Sequence, residues 1–577
     1  MNKSYSLLSN FISLWGIMTL NEKRKSLLFI FFTFVQVSLE TLSIGSLYPL
    51  LLGIFNKDMN IFNNNLFSLD YFKNFAVSEN QILLISIIIL SMFLIKNLFL
   101  VFLVHWTQTF ERNVKVRLKQ HLLKSYLNND YLFHVNADTA KLVRNISTST
   151  STIMGSMRMS MTFINDFLLF FFLLLFMLTI NTVLVLYSAT AISILSFLYF
   201  LFFKKMLIKY GQFSFEHEGE SLKRLLQSFS LIKEIKLFRK ENYFLNFFHS
   251  EEKSYQEFQR KAFIIRSYPR IFFELIFVFG ILTFININIL SHQESFSEIL
   301  PKTALLAIII IRMIPSLNKI IFSAQKINQL QKSNDEVIKE LRENVNLEET
   351  LEKNTLSNFY GFKKITLENI DFKYPSKNNY IFKNFNLEIK NGDYLGIVGS
   401  SGCGKSTLVD IITGLLKPSA GHIKINNEIA KLDSKEWKDI FGYVPQVVNL
   451  FNDTIFTNIT FETDIDKINL TKLDKAIEMA GLSSFVKRLS KGIHTNVGEL
   501  GYKISGGEKQ RMSIARALYK ESQILIFDES FNSLDKIMKD SILSEIKHIS
   551  KYKTVVIISH IIEDLKDCKN LVYLEKK

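Results

Sequence analysis

The chain has 577 residues, 48% of them hydrophobic, with 53 Phe and a formal net charge of +15. That length accommodates two or more domains, and the long apolar runs up to about residue 325 exclude an ordinary soluble fold for that part. Only two cysteines are present, Cys403 and Cys568, which excludes a disulfide framework and a cysteine-rich zinc centre.

The opening "MNKSYSLLSNFISLWGIM" reads as an amphipathic lead-in without a cleavage pattern. A membrane-spanning helix needs roughly 20 mainly apolar residues, and six segments meet that demand, at about 27–54, 82–108, 158–180, 182–204, 267–290 and 303–325. The third and fourth are separated only by "INTV", the mark of a tight helical hairpin. Long polar segments rich in Lys and Arg follow the second span (Arg112 to Arg144) and the fourth (Lys223 to Lys240). By the positive-inside rule these and the N-terminal Lys23–Arg24–Lys25 face the cytoplasm, and six spans return the C-terminal part to the same side. The positive charge is therefore expected to be a basic membrane face, and nucleic acid is not an expected partner.

The expected organisation is a six-helix all-α transmembrane domain over 1–330, a linker over 331–358 and an α/β P-loop ATPase domain over 359–577. Ionisable residues inside the spans carry a cost of about 2.5–3.5 kcal/mol on insertion scales, so they mark cavities or partners. Among them are Lys96, Arg270, Arg312, Glu40 and Glu274. Glu274 lies one helical turn beyond Arg270 and could pair with it. Arg312, in "AIIIIRMIPS", has no acid in its own span, and Pro315 predicts a kink beside it. Three cations from the second, fifth and sixth spans suit an anionic cargo, phosphate above all.

Gly399–Ser406, "GSSGCGKS", fits G-x-x-x-x-G-K-[ST] after the apolar strand "YLGIV" and before the helical pattern "TLVDIITGLL". Backbone N–H groups of Gly399, Ser400, Ser401, Gly402, Cys403 and Gly404 are expected to cradle ATP phosphates together with Thr407. Lys405 neutralises the β/γ oxygens and Ser406 ligates Mg2+. In "ILIFDES", Asp528 ends an apolar strand at the Mg2+ shell, and Glu529 is placed to polarise the attacking water.

"ISGGEKQR", Ile504–Arg511, resembles the signature motif of ABC transporters, with Ile504 for Leu and Glu508 for Gln. The resemblance implies roles for further landmarks in order. Tyr374 in "DFKYP" would stack on adenine, and Gln446 in "YVPQ" would sense Mg2+ and water. Asp535 in "SLD" would lie in the D-loop, and His560 in "VVIISH" would contact the γ-phosphate. Ser505, Gly506, Gly507 and Glu508 would face the nucleotide of an opposing subunit, so a homodimer is the expected assembly, with a heterodimer as alternative. "TNVGELG" resembles the exporter-type motif, and the stretches 130–139 and 229–238 are candidate coupling helices. The order of domains resembles an ABC exporter half-transporter.

"ETLSIGSLYPLL", "YPRIFFE", "IRMIPSLNKII" and "LFNDTIFTNITF" are similar to the lipid-linked oligosaccharide flippases of bacterial protein N-glycosylation. That resemblance implies a bacterial inner-membrane flippase for a polyprenyl-pyrophosphate glycan, with Lys96, Arg270 and Arg312 handling the pyrophosphate. Lys96 stands where that family has arginine. "IFNNNLFSLDYFKNF", about 61–75, fits that family's outer-side amphipathic helix. The alternative cargo is a lipid A-like lipid, a peptide or a drug.

Overall fold

The computed structural model describes residues 7–48, 50–51, 79–179, 182–291, 296–351, 361–375, 378–531 and 536–575. The expected amphipathic segment 61–75 and Asp535 lie outside the described residues. The chain divides into two compact units, Met1–Asn129 with Ala137–Leu351, and Asp130–Asn136 with Glu352–Lys577.

The first unit is all helical. Its elements are α1 (Leu7–Gly16), α2 (Leu20–Gly45), α3 (Glu79–Asn128), α5 (Thr139–Arg144), α6 (Thr150–Leu178), α7 (Thr182–Ser230), α8 (Ile232–Phe238), α9 (Glu241–Ser291), α10 (Phe296–Gln329) and α11 (Gln331–Leu351); the short α4 (Tyr131–Asn136) belongs to the second unit. A π-helical turn, Asn145–Ser149, joins α5 to α6. Among the described residues, four helices are long and apolar enough to cross a membrane: Leu20–Gly45, Leu83–Asn128, Thr139–Leu178 and Lys302–Gln329. The expected fourth and fifth spans fall on the first part of α7 and the last part of α9.

The first span begins earlier than its apolar run because Thr19 caps it. The Thr19 hydroxyl accepts from the Glu22 N–H, and Glu22 accepts in return from the Thr19 N–H at 2.9 Å, closing a capping box. Two of the helices are longer than a span requires, α3 with 50 residues and α9 with 51. Helix α10 runs on through Pro315. Val37, Leu169, Leu173, Ile309 and Met313 form the apolar core where α2, α6 and α10 meet.

The second unit contains two sheets. One is antiparallel, in the order β2 (Phe382–Lys390), β1 (Lys364–Phe372), β4 (Ala420–Ile425), β5 (Glu428–Ile429). The other is parallel, in the order β6 (Phe441–Val444), β7 (Ile524–Asp528), β8 (Thr554–Ser559), β3 (Tyr394–Gly399), β9 (Asn570–Leu574). Strands β7 and β8 are buried along their whole length, as a sheet covered on both faces requires. The parallel order brings the C-terminal ends of β3, β6, β7 and β8 to one edge, which is where ligands bind in such sheets.

Candidate nucleotide and cargo sites

The loop after β3 turns through Gly402 and Gly404, whose φ angles are +80° and +102°. At Gly404 a Cβ would also meet Ile381 Cγ2 at 2.6 Å, so only glycine fits. The next helix, α12 (Lys405–Ile412), begins at Lys405. Its ammonium is almost wholly buried. It donates to the carbonyls of Gly399 at 2.9 Å and Ser400 at 3.1 Å and pairs with Glu529 at 3.0 Å. The hydroxyls of Tyr374 and Thr407 lie 3.3 Å apart, tying the predicted adenine-side aromatic to the P-loop helix.

Glu529 joins the other polar groups at this edge. Gln446 donates to its Oε2 at 3.1 Å, and His560 Nδ1 lies 3.6 Å from the same oxygen. Its φ of +44° is a left-handed conformation that a non-glycine residue adopts at a cost, and such strain clusters at functional positions. The backbone thus spends stability to point one carboxylate at Lys405, Gln446 and His560 together.

Asp528, at the end of β7, is 5% exposed. Tyr443 on the neighbouring strand β6 donates its hydroxyl to Asp528 Oδ2 at 3.0 Å, a contact the sequence reading missed. Burial pushes the Asp528 carboxyl up, the Tyr443 hydrogen bond opposes this, and the charge of Glu529 adds to it. Asp410 on α12 is pushed up to about 6, first by burial and then by the charge of Asp528. Ser406, Asp528 and Gln446 carry hard oxygen donors of the kind Mg2+ takes, alongside phosphate and water.

The signature run opens α17 (Gly506–Tyr519), counting α13 (Lys435–Asp439), α14 (Ile455–Thr460), α15 (Leu470–Met479) and α16 (Ser483–Arg488) before it. Ser505 is its N-cap, and Glu508 completes a capping box by accepting from the Ser505 N–H at 2.9 Å. The Glu508 departure from the usual Gln therefore has a local role, since either residue closes this box. A Cβ on Gly506 would meet nothing within 4 Å, so this helix start lies open. Among the described residues, no hydrogen bond or ion pair joins the signature run to the P-loop of the same chain.

Each of the three membrane cations has its own surroundings. Lys96 lies over the Phe93 ring at 4.6 Å. Arg270 is exposed on α9, and no ion pair joins it to Glu274, which is exposed too. Arg312 has a partner that its own helix could not supply. It pairs with Glu40 of α2, whose side chain is 1% exposed and also accepts from Gln36 at 2.9 Å. About two turns further along α10, Lys319 lies 3.7 Å from Asp166 of α6, and Asp166 is 3% exposed. The sequence reading did not single out Asp166 and Lys319, although an acid inside the third span is the signal for them.

Residues 27–313 match the family described as ABC transporter transmembrane region, and residues 382–532 match the family described as ABC transporter. A Rickettsia bellii protein with an export ATP-binding/permease name is 37% identical over 227 residues, 39% of this chain and 39% of its own length. The ATP-dependent lipid A-core flippase of Ralstonia nicotianae is 32% identical over 213 residues, 37% of this chain and 36% of that protein. The match thus spans about two-fifths of the length of these relatives. A solved bacterial Atm1-family ABC exporter with ATP bound superposes with a TM-score of 0.73 at 21% identity, over 94% of this chain and 93% of that one, a likeness of fold. With a transmembrane region and an ATP-binding region on one polypeptide, the chain belongs to the ABC transporter family.

Proposed function

We propose that the protein is an ATP-driven exporter that moves a polyprenyl-pyrophosphate-linked oligosaccharide from the cytoplasmic to the outer leaflet of a bacterial inner membrane. The convergence of Lys405, Gln446 and His560 on Glu529 carries the ATPase half of this reading. Lys405 and the P-loop N–H groups hold the phosphates, Asp528 and Ser406 hold Mg2+, and Glu529 takes the proton of the attacking water. Gln446 orients that water, and His560 fixes Glu529 and the γ-phosphate. Mg2+, when held there, would supply charge neutralisation for the transfer.

One P-loop and one signature per chain favour a homodimer in which each nucleotide lies between the P-loop of one copy and Ser505–Glu508 of the other. Helix α4, grouped with the ATPase unit and packing Leu132 on its core, supports the first coupling-helix assignment. Helix α8 leaves Leu237 70% and Phe238 69% exposed, which supports docking on an ATPase unit of the second copy.

For the cargo, half-exposed Arg312 held from behind by Glu40, with exposed Arg270 and with Lys96, supports an anionic head group. A second reading, a lipid A-like cargo, is favoured by the Ralstonia relative's name. Expression in a glycosylating strain that lacks its flippase tests the proposal. The wild-type chain should restore glycoprotein and Glu529→Gln should not. No rescue by the wild type, with ATP hydrolysis stimulated by lipid A, would favour the second reading.

A further inference from the structure

A cavity of about 540 Å3 lies among α6, α7, α9, α10 and α11 in the helical unit. Six hydroxyl-bearing side chains and three glutamines line it. Its charged groups balance, with one cation, Lys326, and one acid, Glu218. Burial pushes the Glu218 carboxyl up, towards its neutral form, against the pull of Arg144.

The polar wall is already ordered. Gln259 donates to Ser214 at 2.8 Å, Gln329 donates to Gln259 at 3.1 Å, and Lys326 donates to Gln329 at 3.1 Å. Thr152 and Ser333 hydroxyls meet at 2.8 Å. Ser214, Gln329 and Ser333 are no more than 4% exposed. Phe215 is buried at the wall, its ring covered by the Arg144 guanidinium at 4.0 Å.

Four of the six spans expected from the sequence bracket its depth. Its residues precede the spans at 158–180 and 267–290 and follow those at 182–204 and 303–325. At 1.5 Å per residue it therefore lies within about 20 Å of the span ends, on the side the basic segments assign to the cytoplasm. A head group hanging from an inner-leaflet lipid occupies this level.

We infer that this cavity receives the sugar head of the cargo, as a site for neutral, polyhydroxylated carbohydrate distinct from the cations of the spans. The inference rests on the flippase reading and names the residues that read the glycan. A hydroxyl-and-amide wall without net charge suits sugar hydroxyls. It suits neither an apolar drug nor a free phosphate.

The test uses the full-length protein in neutral-lipid nanodiscs. The probes are glycan released by mild acid from the lipid-linked oligosaccharide of a glycosylating cell, and undecaprenyl pyrophosphate bearing no sugar. Saturation-transfer NMR should detect the released glycan on the wild type. Gln259→Leu and Thr152→Val, the second keeping its side-chain shape, should each weaken it by about fivefold, the loss of one neutral hydrogen bond. Stimulation of ATP hydrolysis by undecaprenyl pyrophosphate should stay unchanged in both variants. Wild-type glycan binding in both folded variants would overturn the cavity assignment, and intact flipping of the lipid-linked glycan would then leave the flippase reading standing. Wild-type protein that neither binds the released glycan nor responds to the lipid-linked form would overturn both.

Discussion

Arg312 and Glu40 form an ion pair between α10 and α2 in which the acid is 1% exposed and the cation 47%. The asymmetry assigns the two residues different duties. Glu40, satisfied by Gln36 as well, lowers the cost of a guanidinium at membrane depth, while Arg312 keeps donors for another anion. Arg312→Ala alone therefore strands a buried carboxylate, and breaking a buried pair in this way costs about 3–5 kcal/mol. The expected result is a large loss of thermal stability in Arg312→Ala, largely recovered in Arg312→Ala/Glu40→Gln. The cargo role is then read in the double variant, which should hydrolyse ATP at the basal rate and flip poorly. Normal flipping in the stable double variant would remove Arg312 from the cargo site.

This pair also marks the limit of what the chain discloses residue by residue. The P-loop, the acidic strand end and the signature are local patterns, and β3, β7 and α17 form where those patterns lie. The start of α2 was legible too, in Thr19 and Glu22, though hydropathy alone set it later. Glu40–Arg312 and Asp166–Lys319 were not legible, because each joins helices distant in sequence and helical periodicity does not say which faces meet. The same holds for Tyr443 and Asp528, which are neighbours only through the parallel register of β6 and β7.

Tyr443 holds one oxygen of Asp528, and in the proposed function the other is left for Mg2+. Tyr443→Phe removes that hydroxyl and keeps the ring. A neutral-to-charged hydrogen bond contributes about 1.5–3 kcal/mol, so the Mg2+ concentration for half-maximal binding of a fluorescent ATP analogue should rise about tenfold. Nucleotide affinity without Mg2+ should not change. An unaltered Mg2+ dependence would leave the contact without a role in metal binding.

Ser505 and Glu508 supply a capping box at the N-terminus of α17. Ser505→Ala should lower the stability of the ATPase unit by about 1 kcal/mol, the usual value of a lost N-cap. Glu508→Gln should be neutral in thermal unfolding, because Gln closes the same box. The two variants also separate cap from chemistry. If Ser505 serves the nucleotide of the opposing copy, Ser505→Ala should lose far more ATP hydrolysis than its melting temperature explains.

Asp410 gives the protein a pH signature with a definite sign. Its folded-state pKa, about 6, lies above the ordinary carboxylate value because burial and the charge of Asp528 disfavour ionisation. The folded state thus holds a proton that the unfolded state releases between about pH 4 and pH 6, so this group's contribution to stability falls as pH rises through that window. With the carboxyl partly solvated, the loss is at most about 2 kcal/mol. Asp410→Asn removes the penalty and should melt above the wild type at pH 7.5. Near pH 4.5 the two should converge, since Asp410 is then protonated in the fold. A constant difference between the variants at both pH values would show that burial of the Asp410 charge does not set this dependence.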